Sequence, residues 1–333
     1  MGLSKPRIIQ NGLEFDKVAD MYIDIIGKRY YFFVLSLIII IPGLLLGLIM
    51  ANNDELPLGI DFTGGTLIEI RIESDLDPQP ADIVILYRDL GIDEPKVQTT
   101  GQGTYVSRSS LLSEDIPGKI IDELEKQYNA VVTVLRIESV GPTIGAEVTQ
   151  RAALAIVVVA FIIVLYITFA FRGIPNAFRY GVCAIIAMLH DVLVVFSITF
   201  IGSYFWGWQI DALFLTALLT VIGFSVQDKI VVFDRIRENT NIYRRIPYET
   251  LVNHSIVQTL SRSINTQLMT VEFMLLALVL FGGVTLQQFA ATMLVGLAFG
   301  TYSSIFVAAP LLVIWESQEW KTWFHRSKST APA

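Results

Sequence analysis

Long runs without charged side chains are the feature that most constrains this chain. Residues 30–50 and 152–171 contain no Asp, Glu, Lys or Arg, and a helix needs about 20 mostly apolar residues to cross a bilayer. Four more apolar runs, interrupted by at most two ionisable residues, occupy 180–208, 212–233, 263–281 and 289–315. Of all residues 53% are hydrophobic and only 17% charged, which is typical of membrane proteins. The sequence therefore predicts an α-helical membrane protein with six spans.

The basic residues orient these spans. Lys and Arg concentrate before the first span, between spans two and three, between spans four and five, and in the tail, whereas the connections at 202–211 and 282–287 have none. Because short basic segments stay in the cytoplasm, we expect both termini there. The predicted organisation is a cytoplasmic N-terminal segment at 1–29, spans at 30–50, 151–171, 180–203, 210–234, 261–282 and 287–315, an outer domain at 51–150, a cytoplasmic loop at 235–260 and a tail at 316–333.

The outer domain alternates strand and helix patterns. Strands are predicted at 66–72, 96–100, 104–109 and 131–137, and helices at 80–90 and 114–128. This βαββαβ order indicates a ferredoxin-like α+β domain. Residues 51–150 hold 18 acidic and 7 basic side chains and no histidine. The acids are interpreted as a solvated surface or, alternatively, a metal site, and nothing in this region predicts an enzyme.

Charge and cysteine content exclude further classes. The net charge of −7 argues against nucleic acid as a partner. The single cysteine, Cys183, excludes an internal disulfide and a multi-cysteine metal site.

Acids inside the spans are the candidate functional residues. A carboxylate within a membrane helix costs about 2.5–3.5 kcal/mol and normally faces the bundle interior. For Asp228 the alternatives are an ion relay and a static ion pair between helices; for the pair His190 and Asp191 they are a proton path and a structural hydrogen bond.

Cations and a further acid accompany these residues. Arg262, at the start of span five, is a candidate partner of Asp228 or an ordinary interfacial anchor. Lys229 follows Asp228 directly, but adjacent helical residues point about 100° apart, so we expect Lys229 to extend toward the cytoplasmic surface. Glu272 in span five has no evident role in the sequence alone.

Several motifs occur together and in order. They are 59–66 (GIDFTGGT), 140–145 (VGPTIG), 187–192 (AMLHDV), 221–228 (VIGFSVQD), 231–239 (VVFDRIREN), 259–263 (TLSRS) and 280–283 (LFGG). Over about residues 20–316 the chain resembles the SecD and SecF protein-export membrane proteins, and its single outer domain is closer to SecF than to SecD. The motif residues that carry this resemblance include Asp61, Gly64, Gly65, Gly141, Pro142, Asp234, Arg235, Arg237 and Glu238.

The resemblance implies a fold, a location and partners. It implies the six-helix bundle of the resistance-nodulation-division superfamily in the bacterial cytoplasmic (inner) membrane, paired with a SecD-type subunit. It also implies work with the SecYEG channel, accessory proteins of the YajC and YidC type and membrane lipid, to complete export of unfolded polypeptides with the proton motive force. No cofactor is implied beyond the coupling ion, a proton or sodium.

The resemblance also implies residue roles. It assigns ion coupling to Asp228 with Arg262 as its partner, and it adds Asp191. The chain departs from the family at Gln227 and Lys229, where Asn and a small hydroxyl residue are usual. Lys229, Glu272 and His190 are therefore candidate modulators, with Glu272 as a compensating charge for Lys229 or Arg262.

Two other functions remain open from the sequence. A small-molecule or lipid exporter of the same superfamily would need a larger outer region with an apolar pocket. A passive scaffold of the export channel would have no need of Asp228 inside the membrane.

Overall fold

The computed structural model describes residues 23–73, 78–93, 95–101, 103–172, 177–267, 273–281 and 284–318. Predictions that fall on residues 1–22, 319–333, Glu272, Gly282 and Gly283 lie outside these described residues. In chain order the elements are α1 (Arg29–Asn52), α2 (Ile60–Thr63), β1 (Gly65–Glu73), α3 (Pro80–Asp89), β2 (Lys96–Gly101), β3 (Thr104–Ser109), α4 (Ile116–Tyr128), β4 (Val131–Val140), α5 (Pro142–Ala170), α6 (Ala177–Trp206), α7 (Ala212–Ile242), α8 (Tyr248–Gln267), α9 (Phe273–Phe281), α10 (Val284–Ser303), a π-helical turn (Ser304–Ala308) and α11 (Ala309–Glu316).

Five helical segments within the described residues are long and apolar enough to cross a membrane. They are Arg29–Asn52, Pro142–Ala170, Phe178–Trp206, Ala212–Ile242 and Leu286–Glu316. The predicted fifth span, 261–282, falls on the end of α8 and on α9, and residues 268–272 between them are not described. That residues 261–282 cross the membrane, which would bring the number of spans to six, stays a prediction.

The outer domain has the predicted ferredoxin-like topology. Its four strands form one antiparallel sheet in the order β2-β3-β1-β4. Strand β3 lies between β1 and β2, and β1 lies between β3 and β4, so each βαβ unit is split by one strand. The predicted α+β domain is therefore confirmed, with strand β4 three residues longer than its pattern indicated.

Helices α3 and α4 pack on one face of this sheet. Their apolar stripes, which include Ile83, Tyr87 and Leu124, meet the alternating isoleucines Ile68 and Ile70 of β1. All five side chains are at most 1% exposed. Without disulfides, this apolar core is what holds the domain together.

The membrane-length helices pack around α7. Buried residues recur along its whole length, while α5 is largely exposed on the bundle periphery. Helix α10 approaches α7 closely because Gly296 and Gly300 face Val221 and Ser225, where a Cβ would meet side-chain atoms at 2.4 and 3.2 Å. Small residues of this kind allow helices to approach in membranes, where apolar burial between helices provides little driving force.

A short joint connects the outer domain to the bundle. The Gly59 N–H donates to the Ile210 carbonyl at 2.8 Å, and the Ile210 N–H donates to the Pro57 carbonyl at 2.7 Å. Asp61 accepts the N–H of Ala212, the first residue of α7, at 2.9 Å. The first segment of the outer domain is thus fixed to the start of α7.

Candidate functional site

Asp191 lies in a polar cluster at the centre of the helical bundle. Its side chain is 1% exposed. Oδ2 accepts hydrogen bonds from Ser303 Oγ at 2.8 Å and from Ser225 Oγ, and Oδ1 lies 3.0 Å from His190 Nδ1. Helices α6, α7 and α10 therefore meet at this one carboxylate.

Lys229 forms a fully buried ion pair with Asp191. Its side chain is 0% exposed, and Nζ lies 2.7 Å from Asp191 Oδ2. The ammonium also donates to the Ser225 carbonyl at 3.4 Å and to Ser225 Oγ. The expectation that Lys229 extends to the cytoplasmic surface is therefore wrong. Because residues 38 positions apart meet here, only the helix packing could reveal the pair.

Asp228 is the second buried acid of the cluster. Ser263 Oγ of α8 donates to Oδ1 at 2.7 Å, and Ser304 Oγ of the π-helical turn donates to Oδ2. Its residue surface is 8% exposed. Among the described residues no ion pair involves Asp228, because Lys229 points to Asp191. Asp228 thus has two hydroxyl donors as partners, whereas Asp191 has an ammonium.

Arg262 does not contact Asp228 in this conformation. It lies on an exposed face of α8, and the hydroxyl of the next residue, Ser263, occupies the position next to the carboxylate. Side chains of consecutive helical residues point about 100° apart, so only one of the two can face α7. The predicted pairing of Arg262 with Asp228 is absent from the described contacts.

Two consecutive serines connect the two acids. Ser303 ends α10 and donates to Asp191, while Ser304 begins the π-helical turn and donates to Asp228. The turn lies just before Pro310, which has no N–H for the usual bond to the residue four positions earlier. Single π-helical turns often lie at functional sites. Neither serine stands out in the sequence, and Pro310 is the residue that could have indicated a local irregularity here.

The candidate modulators have separate positions. His190 orients one Asp191 oxygen through Nδ1, and its ring stacks near Tyr302 at a centroid distance of 6.2 Å. Its buried Nε2 has no hydrogen-bond partner in the described part of the chain. Glu272 lies outside the described residues, and the acid that compensates Lys229 is Asp191.

The motif glycines shape the joint at the base of the outer domain. Gly64 and Gly65 have φ values of +75° and +123°, which residues other than glycine rarely adopt. A Cβ on Gly65 would lie 2.5 Å from the Ser109 carbonyl. Gly141 and Pro142 are the N-cap and first residue of α5, directly after β4. These residues join sheet and membrane helix closely.

The motif at the end of α7 forms a surface network. Asp234 pairs with Arg237 at 3.3 Å, and Arg235 pairs with Glu238 at 2.6 Å. Arg235 also donates to Gln258 of α8 at 2.6 Å. Exposed pairs contribute little stability individually, and of these residues it is Arg235 that connects α7 to α8.

The described residues contain no group of three or more His, Cys, Asp or Glu side chains arranged to hold a metal ion. The cluster between α6, α7, α8 and α10 is instead built from carboxylates, hydroxyls and one ammonium.

A multi-span bundle with buried acids and one outer ferredoxin-like domain defines a class of membrane transport proteins, and comparison identifies the family. Residues 120–318 match the family described as protein export membrane protein SecD/SecF, C-terminal, and residues 55–75 match the SecD/SecF GG motif. The chain belongs to the SecD/SecF family of protein-export membrane proteins.

Its relatives include SecF subunits. The chain is 61% identical over 311 residues to the protein translocase subunit SecF of Anaerolinea thermophila, which covers 93% of this chain and 100% of the relative. It is 46% identical over 322 residues to the SecF subunit of Thermobaculum terrenum, which covers 93% and 99%. The predicted relation to SecF is confirmed. The chain is a protein translocase subunit, which is a non-catalytic component of a transport system.

A solved structure has the same architecture. The chain superposes on SecDF, a translocon-associated membrane protein from Thermus thermophilus, with a TM-score of 0.76 and 32% identity, covering 90% of this chain. It spans 39% of the length of that SecDF chain.

Proposed function

We propose that this subunit couples ion entry across the bacterial cytoplasmic membrane to the completion of polypeptide export on the outer side. The observation that carries the proposal is Asp228, a buried carboxylate held by two hydroxyls and, in the described residues, by no cation. An intramembrane acid of this kind is typical of ion pathways. A passive scaffold would not need one.

Protonation of Asp228 would change the contacts of α7. A carboxylate accepts hydrogen bonds from Ser263 and Ser304, whereas a carboxylic acid is neutral and donates one of its own. Loss of the charge weakens the bonds to α8 and to the π-helical turn. When Asp228 is charged again, a rotation of α8 by about 100° would bring Arg262 to the carboxylate in place of Ser263. Ion entry thus alters how α8 packs on α7.

The joint carries such a movement outward. Helix α7 begins at Ala212, whose N–H is bound by Asp61 of the outer domain segment, and α5 continues directly from β4. A shift of α7 would therefore act on the outer domain through this joint. One charge crossing 100 mV supplies roughly 2.3 kcal/mol, comparable with coupling energies of about 1–3 kcal/mol between sites.

The proposal includes partners and an orientation. A SecD-type partner is supported by the Thermus thermophilus relative, a translocase subunit named SecDF, of which this chain matches 40%. We propose cooperation with the SecYEG channel, with YajC- and YidC-type proteins as accessories, and both termini in the cytoplasm. The coupling ion is a proton, with sodium as the alternative, and no cofactor takes part.

The test is late-stage translocation of a secretory protein into vesicles that contain this chain, its SecD-type partner and the channel. A proton gradient should accelerate completion with the wild-type chain, and this acceleration should be lost with Asp228→Asn or Arg262→Met. Gln227→Ala, an exposed neighbour on α7, and Arg245→Met, an exposed arginine in the cytoplasmic loop, are matched controls that should keep it.

If the gradient accelerates none of the chains, the subunit acts as a scaffold. If Asp228→Asn responds like wild type, another residue carries the ion. Transport of a dye or lipid in place of protein would indicate an exporter.

A further inference from the structure

The two buried acids of the polar cluster have different partners. Asp191 has a permanent cation from its own chain, because Lys229 Nζ lies 2.7 Å from Oδ2 and neither side chain is more than 1% exposed. Asp228 has only the hydroxyls of Ser263 and Ser304 as described partners. The two acids therefore cannot respond to an incoming cation in the same way.

The surroundings of the Lys229 ammonium consist of oxygen atoms. It donates to the Asp191 carboxylate, to the Ser225 hydroxyl and to the Ser225 carbonyl. An ammonium has three N–H donors, so these three acceptors satisfy it. Carboxylate, hydroxyl and carbonyl oxygens are also the ligands that hard metal cations prefer. Ser303 adds a further hydroxyl, which contacts the same Asp191 oxygen at 2.8 Å.

We propose that the Lys229 ammonium is a built-in cation that fills an oxygen-lined site at Asp191, so that a free monovalent cation binds only at Asp228. Lys229 is then a specificity-determining residue: it excludes sodium from one acid and limits exchange to one ion per cycle. This inference rests on the proposed ion coupling and assigns the ion to one of the two acids.

The packing around the pair supports exclusion rather than exchange. The ammonium is tethered to α7 one residue after Asp228, and its site is closed by α6 and α10. A sodium ion entering beside it would meet a like charge at a fully buried position, where such repulsion is strong. Leaving the site would place a charged lysine among apolar helices. The ammonium is therefore expected to stay at this site as its resident cation.

Measuring sodium binding tests directly whether Lys229 excludes sodium from Asp191. The full-length chain in lipid nanodiscs is titrated with radioactive sodium at mildly alkaline pH, for wild type, Lys229→Thr and the double variant Asp191→Asn/Lys229→Thr. Threonine removes the ammonium and leaves space and a hydroxyl. We expect Lys229→Thr to bind about one more sodium ion per chain than wild type, and the double variant to lose that ion because it has no carboxylate.

A variant in which both members of the pair are neutral serves as a control in case the single variant misfolds. Asp191→Asn/Lys229→Met removes both charges together and keeps the volume similar, which buried pairs often tolerate. Wild type and this variant should bind the same amount of sodium. If wild type binds more sodium than the neutral pair, or if Lys229→Thr binds no more than its Asp191→Asn counterpart, the inference is overturned.

Translocation separates this inference from the proposed function. In vesicles with partner and channel, Lys229→Thr should show a larger response to a sodium gradient than wild type, and the added response should be absent from Asp191→Asn/Lys229→Thr. No response of wild type to either gradient contradicts the proposed function itself. A wild-type response to either gradient, with no added sodium response in Lys229→Thr, contradicts only the role of Lys229.

Discussion

Lys229 and Asp191 illustrate what a buried charge pair contributes at the level of single residues. Removing two ions from water costs several kcal/mol for each, and their attraction offsets this only when the remaining hydrogen-bonding groups are satisfied. Here Ser225, Ser303 and His190 complete the partners of the carboxylate. The pair is thus a means of fixing how α6, α7 and α10 meet more than a source of stability.

Tyr87 provides a residue-scale prediction about pH. It is 0% exposed, its hydroxyl lies 2.5 Å from Ser107 Oγ, and burial raises its pKa from 10.0 to about 12. The unfolded chain loses this proton first, so the stabilisation is complete below pH 10 and is lost as the pH rises toward 12. The expected loss is about 2–3 kcal/mol, at roughly 1.4 kcal/mol for each pKa unit.

The measurement is the free energy of unfolding of the full chain in detergent across this pH interval, for wild type and Tyr87→Phe. The variant should lose less stability over the interval, because phenylalanine does not ionise. Its loss at neutral pH should be small, since Ser107 also donates to the Ile68 carbonyl at 3.1 Å. Equal pH dependence of the two chains would show that Tyr87 does not titrate as its burial indicates.

At the scale of elements, the fold followed from local pattern and the site did not. Alternating isoleucines in β1 and helical spacing in α3 and α4 predicted the βαββαβ order, because one face of each element is buried. Asp191 and Asp228 were found because an acid is rare in an apolar run. Their partners were not, since the rotation of α8 about its axis decides whether Arg262 or Ser263 faces α7.

The two serines where α10 meets the π-helical turn had no recognisable sequence pattern. Ser303 and Ser304 also donate to the carbonyls of Gly300 and Thr301 at 3.0 and 2.8 Å. A serine in a membrane helix commonly does only this, so its side chain gives no sign of a distant acceptor. Consecutive helical residues point about 100° apart, so the two hydroxyls face acids on different helices.

This division of the two serines leads to an element-scale prediction. If Asp228 carries the ion, Ser304→Ala removes one of its described donors and should slow proton-driven completion of export several-fold. Ser303→Ala removes one donor among several from Asp191 and should leave the rate near that of wild type. Translocation into vesicles under a proton gradient measures both rates.

Ser303→Ala is the matched control, because it makes the same chemical change one residue away. Both variants should accumulate in the membrane to the same level. Slower export with Ser303→Ala and a normal rate with Ser304→Ala would transfer the ion-carrying role to Asp191.

At the scale of the whole molecule, the outer domain is attached to the bundle through a joint at its base. The joint of Gly59, Asp61 and Ile210 fixes it to the start of α7. Beside the joint, a cavity of about 980 Å³ lies between the sheet and the outer end of α6. If α7 moves and carries the joint with it, the width of this cavity must change.

A cross-link across the cavity tests that movement. Ser110, just after β3, and Ser203 in α6 line it from opposite sides, and Cys183 is buried and can be replaced by alanine to leave only the introduced pair. In the Ser110→Cys/Ser203→Cys chain, a short bifunctional maleimide should slow completion of export several-fold, because it holds the sheet at one distance from α6. Either single cysteine treated with the same reagent should export normally, and a long, flexible cross-linker should restore much of the rate. Normal export with the short bridge would mean that the outer domain stays fixed on the bundle, and that ion entry at Asp228 acts through the partner subunit.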